Sequence, residues 1–391
     1  MLRAFAMTAL ILDTLLAPTF RTGQRTGRAV PAATRNMERA VAAYTAMQTY
    51  FYQRDGSRLY LEQYPRAADD RPYSYEWPFS QAFAATIDLL ALPGRAGLRY
   101  RDDVRDRARG QERYWDTTGT TGLPGYDAYP HPPYGHGDDL FYDDNEWVAL
   151  QQIRLYRLTG DQGALDRAKE IFRLVVSGWD TDPSHPAPGG VFWTQEPSNH
   201  DRNTVSTMPA AALGLRLYQI TADRYYLDWA RRMYEWTNKY LLAPNGLYWD
   251  RINLAGTIEK TQWSYNQGVP VGVNALFYQV TGNATYLRRA EATARTALDF
   301  YGAGDRLYGQ PAFFNAIFFK NLLLLQSVTH DPLYARATQA YADRVWTDYR
   351  DRRTDLFRFD PAKPTTLLDQ AAMIQIYTIL AWDPSDYTDA F

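Results

Sequence analysis

The chain of 391 residues has no cysteine. Disulfide bonds, thiolate nucleophiles and cysteine-ligated metal sites are therefore excluded. Histidine is scarce, and no two histidines are paired at helical spacing. They are His131, His136, His185, His200 and His330. No phosphate-cradling glycine loop, dinucleotide fingerprint or Ser-His-Asp set is present either. We therefore expect neither a metal nor a cofactor.

A surplus of charge of one sign is also missing. Lys and Arg number 42 and Asp and Glu number 44, so the net charge is −2. No basic stretch recruits nucleic acid, and a lyase acting on uronates would want a basic cleft. The balance favours an uncharged substrate.

Long hydrophobic runs are few. The segment MLRAFAMTALILDTLLAP has a positive start and an apolar run, as in a signal peptide, although Asp13 interrupts it. We predict a leader or disordered N-terminus at 1–33, with a buried first helix as the alternative, and one domain at 34–391. A secreted or cell-surface location is favoured over the cytoplasm. The run Leu322–Leu325 is too short to span a membrane, so we expect no stable membrane insertion, and we expect a monomer.

Aromatic residues are abundant, with 30 Tyr, 17 Phe and 11 Trp. One interpretation is a large core whose Tyr hydroxyls are satisfied at its edge. The other is a cleft lined with flat rings that stack on sugar faces. Composition does not distinguish the two.

The middle of the chain repeats a helix, a short turn and a second helix. The repeats begin at four leucines, with the turns marked by threonines: Thr159, Thr221, Thr281 and Thr329. Gly160 and Gly282 supply helix stops. The residues suited to cap the second helices are Asp161, Asp223, Asn283 and Asp331.

Further helices are predicted at 38–52, 80–92 and 102–116, and the segments NAIFFKNLLLLQSV and DQAAMIQIYTILAW continue the pattern. About eleven or twelve helices, or six antiparallel hairpins, predict an all-α fold, an (α/α)6 toroid. An open solenoid is the alternative. The long loops rich in Gly, Pro and aromatic residues favour the toroid, because they would gather at one mouth and build a site there.

Two adjacent carboxylates stand out in FYDDNEW, residues 141–147. Asp143 and Asp144 open a helix, and capping by acids is a common reason for that. Capping needs one acid, however, and the flanks are aromatic. Glycoside cleavage needs a nucleophile or base and an acid, and repulsion between the two would raise the pKa of one of them. Adjacent carboxyl groups at a helix start could lie about 5–6 Å apart, as in a retaining enzyme.

Together with LYRLTGD, GGVFW, RNTVS, NGLYWD and WSYNQG, this pair makes the chain resemble glycoside hydrolase family 76, the endo-α-1,6-mannanases, from about Tyr73 to about Trp382. The resemblance implies an (α/α)6 barrel that cleaves α-1,6-linked mannose backbones with retention. It also implies that Asp143 is the nucleophile and Asp144 the acid/base. A second acidic pair, Asp138 and Asp139, lies just upstream and lacks the following Trp.

Further residues are candidates for holding an oligo- or polysaccharide such as α-mannan. Aromatic side chains could stack on sugar rings, and amides and one carboxylate could bind hydroxyls, although core packing and helix capping are alternatives for each. The candidates are Trp77, Tyr142, Trp193, Asn203, Asp250, Tyr265, Asn266 and Gln267.

Other functions remain open at this point. Transglycosylation would use the same site with a sugar acceptor in place of water. A sugar epimerase would need a histidine pair facing the funnel, which the histidine positions do not favour. A glycan-binding module on an inactive toroid would not need both Asp143 and Asp144.

Overall fold

The computed structural model of the protein describes residues 30–391. Residues 32 and 33 already lie in the first helix, and the rest of the expected leader at 1–33 lies outside the described residues. The α-helices in the described part are α1 (Ala32–Tyr50), α2 (Glu76–Leu90), α3 (Arg95–Leu98), α4 (Arg101–Gln111), α5 (Tyr142–Thr159), α6 (Gln162–Ser177), α7 (Thr204–Thr221), α8 (Arg224–Tyr240), α9 (Tyr265–Thr281), α10 (Ala284–Gly302), α11 (Ala312–Thr329), α12 (Leu333–Asp348) and α13 (Leu367–Ile379).

Six of these helices form a closed inner ring. Going round it, α2 packs on α5, α5 on α7, α7 on α9, α9 on α11, α11 on α13, and α13 returns to α2. The helices α4, α6, α8, α10, α12 and α1 pack outside them, each chiefly against one inner helix. The sixth hairpin pairs α13 with α1, from opposite ends of the described chain. The predicted six-hairpin toroid is therefore confirmed.

Burial explains which helices are inside. Inner helix α9 is buried at every position from Tyr265 to Phe277, because neighbours cover it on several sides. Outer helix α8 buries a single stripe, which includes Leu227, Ala230 and Met233. Inner helix α11 is the one helix of the described residues that is long and apolar enough to cross a membrane, and 72% of it is buried within the protein.

The predicted turns are built on the four threonines. Each hydroxyl donates to a carbonyl four residues back and accepts from the N–H two residues on, as Thr159 does from Asp161 at 3.3 Å. Gly160 and Gly282 end their helices in the left-handed conformation, as expected. Ala222 and His330 adopt the same conformation without being glycine. The hydroxyl thus fixes the turn even where the residue is unfavourable.

The expected helix at 102–116 is too long. Helix α4 ends at Gln111, and Trp115–Asp116 forms strand β2, which pairs with β3 (Gly125–Tyr126). The other strands are also short: β1 (Gln63–Tyr64) pairs with β7 (Thr365–Thr366), and β4 (Asp201–Asn203), β5 (Arg251–Asn253) and β6 (Ile258–Glu259) form one sheet. These strands lie in the loops before the inner helices and hold those loops in place.

Candidate active site

A cavity of about 590 Å³ lies where the six inner helices begin. Each of these helices contributes side chains from its first turn or its cap, because all six run in the same direction around the ring. The contributors are Trp77 and Pro78 from α2, Asp143 and Asp144 from α5, Asn203 and Val205 from α7, Tyr265 from α9, Phe314 from α11, and Leu368 from α13. The ring thus brings together residues that are up to 291 positions apart in the chain, from Trp77 to Leu368.

The aspartate pair occupies the second and third residues of α5. Phe141 precedes the helix in extended conformation, so the side chains of Asp143 and Asp144 both reach the cavity. Asp143 is buried, and its Oδ1 has no hydrogen-bond partner among the described residues. The N-cap residue of the helix is Phe141, whose side chain makes no capping bond.

Burial raises the pKa of both aspartates. For Asp143 it rises to about 7, although the backbone N–H groups at 143 and 144 and the Trp193 side chain lower it in part. For Asp144, burial and then the charge of Asp143 raise the pKa well above its ordinary value. The hydrogen bonds that favour a carboxylate act on Asp143, whereas only burial and neighbouring negative charges act on Asp144. The surroundings of the two aspartates therefore differ, and the carboxylate form is favoured more at Asp143 than at Asp144.

Asp250 faces the cavity from the loop before β5. Asn266 donates a hydrogen bond from Nδ2 to its Oδ1 at 3.0 Å, and Arg251 Nη1 lies 3.5 Å from its Oδ2. Burial raises the pKa of Asp250 to about 6, with Arg251 and Asn266 opposing the rise. At neutral pH Asp250 is thus an oriented carboxylate, suited to accept hydrogen bonds from sugar hydroxyls.

Two further polar groups facing the cavity have a free atom. The indole Nε1 of Trp77 and the Oδ1 of Asn203 are buried and have no hydrogen-bond partner within residues 30–391. Buried polar atoms of this kind are usually paired. One is a donor and the other an acceptor, which together suit an alcohol.

Aromatic rings form two walls of the cavity. Tyr265 stacks on Phe314, with ring centroids 3.8 Å apart and planes at 3°. Trp193 packs edge to face on Phe141 at 5.1 Å and is 37% exposed, so part of its ring is free to contact a ligand. Tyr265 is only 8% exposed, so Trp193 is the ring here that best fits the interpretation of a sugar-stacking surface at this mouth.

Three of the predicted residues do not line the cavity. Tyr142 is only 3% exposed, and its ring packs against Gly178, behind the helix start. Gln267 is fully buried, and its amide is used within the protein, on the backbone of Tyr248 and Trp263. Asn266 is also buried and reaches the site only through Asp250. Gln267 therefore holds a loop, and Asn266 orients another residue.

Several residues of the cavity were not anticipated. They are Glu62, Tyr75, Phe141, Arg251, Phe314, Leu368 and the upstream pair Asp138 and Asp139. Burial raises the pKa of Glu62 to about 7. A partial signal for Phe141 was present in the sequence, because it is one of the aromatic residues that flank the aspartate pair in FYDDNEW. Within the described residues, no group of three or more His, Asp or Glu is arranged to hold a metal ion.

Comparison with known proteins places these features in a family. Residues 35–365 match the family described as glycosyl hydrolase family 76. A mannan endo-1,6-alpha-mannosidase of Candida glabrata is 30% identical over 140 residues, which are 34% of this chain and 31% of that protein. The corresponding enzyme of Saccharomyces cerevisiae is 30% identical over 179 residues, 44% of this chain and 39% of that protein. The chain thus matches well under half the length of these curated relatives.

Solved structures share the fold. A family 76 mannosidase of Bacteroides thetaiotaomicron superposes with a TM-score of 0.79 at 24% identity, covering 89% of this chain and 98% of that one. An inactive variant of an alpha-1,6-mannanase of Salegentibacter, in complex with alpha-1,6-mannotriose, has a TM-score of 0.70 at 20% identity, covering 88% of this chain and 99% of that one. With the family match extending over most of its length, the chain belongs to glycosyl hydrolase family 76.

Proposed function

We propose that the protein is a retaining, endo-acting glycoside hydrolase that cleaves α-1,6-linked mannan. The observation that carries the proposal is the pair Asp143 and Asp144, held at the start of α5 in a cavity that also presents neutral hydrogen-bonding groups and exposed rings. Backbone N–H groups at 143 and 144 act on Asp143, but its buried Oδ1 still has no partner among the described residues and is left for a ligand.

The reaction proceeds in two displacements. In the first, a carboxylate oxygen of Asp143 attacks the anomeric carbon and the bond to the glycosidic oxygen breaks. Asp144 gives its proton to that oxygen, so the shortened chain leaves as an alcohol. In the second, Asp144 takes a proton from water, the water oxygen attacks the anomeric carbon, and the bond to Asp143 breaks. Two inversions restore the original α configuration.

The carboxylates are matched to these steps by their surroundings. Burial and the charge of Asp143 keep the proton on Asp144 at neutral pH, as a general acid requires. Once Asp143 is bonded to the sugar it loses its charge, so the pKa of Asp144 falls. Asp144 can then act as a base in the second step.

The remaining groups of the cavity bind and orient the sugar. Asp250 accepts hydrogen bonds from hydroxyl groups, while the free atoms of Trp77 and Asn203 donate and accept one each. Trp193 and the stacked Tyr265 supply apolar faces. Such contacts contribute to catalysis by placing the anomeric carbon against Asp143.

The relatives support the choice of substrate and of the reacting pair. Those from Candida glabrata and Saccharomyces cerevisiae are named as mannan endo-1,6-alpha-mannosidases. The Salegentibacter enzyme was made inactive by changing two consecutive aspartates to asparagine, and it was captured with an alpha-1,6-linked trisaccharide. Two pairs of consecutive aspartates line the cavity of this protein, Asp143 with Asp144 and the upstream pair Asp138 with Asp139.

The direct test is incubation of the purified protein with unbranched α-1,6-mannan. Products are separated by size, and NMR follows the anomeric configuration of newly formed ends. Short oligosaccharides that first appear as the α anomer are expected. Initial release of the β anomer would leave a hydrolase but remove Asp143 as nucleophile. Absence of cleavage of this and other α-mannans would overturn the proposed function.

A further inference from the structure

A second charged cavity lies within the ring, away from the catalytic aspartates. It measures about 60 Å³ and contains Asp88 of α2, Arg154 of α5 and Lys320 of α11, which we call the basic pocket. Nη1 of Arg154 lies 2.9 Å from Oδ1 of Asp88, and Nζ of Lys320 lies 2.7 Å from Oδ2. Asp88 and Arg154 come from the later parts of their helices and Lys320 from the middle of α11, whereas Asp143 and Asp144 lie at the start of α5. The proposed reaction uses none of the three.

The charges of the basic pocket do not balance. One carboxylate faces two cations, and the side chains of Lys320 and Arg154 are only 10% and 11% exposed. Beyond them lie Arg216, which is buried, and the ion pair of Arg157 with Asp389 at 2.7 Å. Arg216 donates to the main-chain oxygens of Phe391 and Thr388. A buried charge without a counter-ion is costly.

The guanidinium group of Arg154 is where an additional anion would bind. Its three guanidinium nitrogens are buried, and none donates a well-aligned hydrogen bond within the described residues. Its plane lies over the ring of Trp382, at 4.2 Å from the ring centroid, so its edge is left for a ligand. Burial lowers the pKa of both Arg154 and Lys320, although Asp88 opposes the effect. An anion in the cavity would relieve the cost that burial imposes on both cations.

The walls limit what can enter. Ile87, Trp147, Leu150 and Ile317 make much of the lining apolar, and the volume suits a small ion. A large polyanion would need many more donors. A small anion with a single charge loses less hydration free energy on leaving water than a multiply charged anion does.

We propose that the basic pocket binds one small monovalent anion of the halide class between Arg154 and Lys320, and that this anion stabilises the ring. The ion links α5 to α11, which face each other across the ring and are not neighbours in it. The proposal does not depend on the proposed function, because its test measures the thermal stability of the protein and not its activity.

The test measures thermal unfolding of the full chain in sodium chloride, sodium bromide and sodium gluconate at equal ionic strength and pH. Stabilisation by a ligand that binds only the folded state grows with the logarithm of its concentration above Kd. The Tm is therefore expected to rise with chloride and bromide and to stay lower in gluconate. Lys320→Met should abolish the halide dependence, whereas the matched variant Lys363→Met, at a side chain that is 77% exposed, should keep it.

Equal Tm values in halide and gluconate would overturn the proposal. A halide dependence that survives Lys320→Met would overturn it as well, since general salt effects would then explain the rise. Should the variant fail to fold, crystals grown in bromide decide the matter. An anomalous peak beside Arg154 and Lys320 supports the site, and its absence at saturating bromide refutes it.

Discussion

Asn266 donates its amide hydrogen to Oδ1 of Asp250 across 3.0 Å, from the first turn of α9 to the loop before β5. Both residues are buried, so this bond fixes the direction of the carboxylate. Replacing Asn266 by Ala should lower kcat/KM about 10- to 100-fold, since hydrogen bonds to charged groups contribute about 1.5–3 kcal/mol. The pKa of Asp250 should also rise, because the bond favours its charged form.

The control for this variant is Asn245→Ala. Asn245 is exposed and exchanges its amide bonds with Gln262. Kinetics on α-1,6-mannan and thermal unfolding are measured for both variants. If Asn266→Ala and Asn245→Ala keep the same kcat/KM, the orienting role of Asn266 is wrong.

Asparagine at each catalytic position separates the roles of the pair. Asp143→Asn should abolish turnover on every mannoside, because no glycosyl intermediate forms. Asp144→Asn should lose about 10²–10⁴-fold on mannan, which needs an acid for its leaving group. It should lose much less in the first step on an aryl α-mannoside whose phenol leaves without protonation. A pre-steady-state burst of phenol measures that step.

The control for Asp143 and Asp144 is a second pair of adjacent aspartates. Asp102 and Asp103 also lie side by side in the first turn of a helix, the outer helix α4, and Asp102 pairs at the surface with Arg105. Asp102→Asn should leave mannan cleavage unchanged. If Asp143→Asn and Asp144→Asn lose the phenol burst to a similar extent, the assignment of Asp143 as nucleophile and Asp144 as acid/base is wrong.

Trp193 lowers the pKa of Asp143, against the rise to about 7 that burial causes. Trp193→Phe keeps an aromatic ring on Phe141 and removes the N–H. The folded pKa of Asp143 should then rise, so less of it is ionised at a given pH. The acidic limb of the kcat/KM profile should move to higher pH. Trp229→Phe, in the outer helix α8, should not move it, and an unshifted limb in both would show that the indole does not act on Asp143.

Glu76 makes stability depend on pH. It is fully buried in the first turn of α2, where Gln111 donates to its Oε1 at 3.1 Å, and burial raises its pKa from 4.5 to about 8. A raised pKa means that the folded state holds the proton more tightly than the unfolded state. The resulting stability is complete below pH 4.5 and is lost as pH rises through about 8.

Glu76→Gln carries no such proton and should lose less stability between pH 5 and pH 9 than the wild type. Each pKa unit corresponds to about 1.4 kcal/mol, so a difference on the order of a few kcal/mol is expected. Urea unfolding at the two pH values measures it. Glu38→Gln, at an exposed position of α1, should behave as the wild type. Parallel losses in all three proteins would mean that Glu76 is not the group responsible.

Local signals account for what was predictable from the sequence. Thr159 and its three counterparts mark turns because their hydroxyl bonds are made within six residues of chain. The spacing of apolar residues identified the helices, and six hairpins favoured a ring. Asp143 and Asp144 were recognisable because adjacent acids between aromatic residues are hard to explain by capping alone.

Long-range relations were not predictable. Glu62 reaches the cavity because β1 pairs with β7, some 300 residues later in the chain, and nothing near Glu62 indicates this. Phe314 was not singled out, because it stands just before the predicted segment NAIFFKNLLLLQSV, yet its ring stacks on Tyr265. Tyr142 was placed in the site because it neighbours Asp143. The start of α5 turns its ring inward instead, and Phe141 takes the position.

The pairing of α13 with α1 has a consequence for biosynthesis. Because α13, the last long helix of the described residues, packs between α1, α2 and α11, the ring stays open until α13 has left the ribosome. Up to that moment the apolar flanks of α2 and α11 face water, and such surfaces recruit chaperones or aggregate. A premature stop before Leu367 would therefore leave a chain that cannot close its ring.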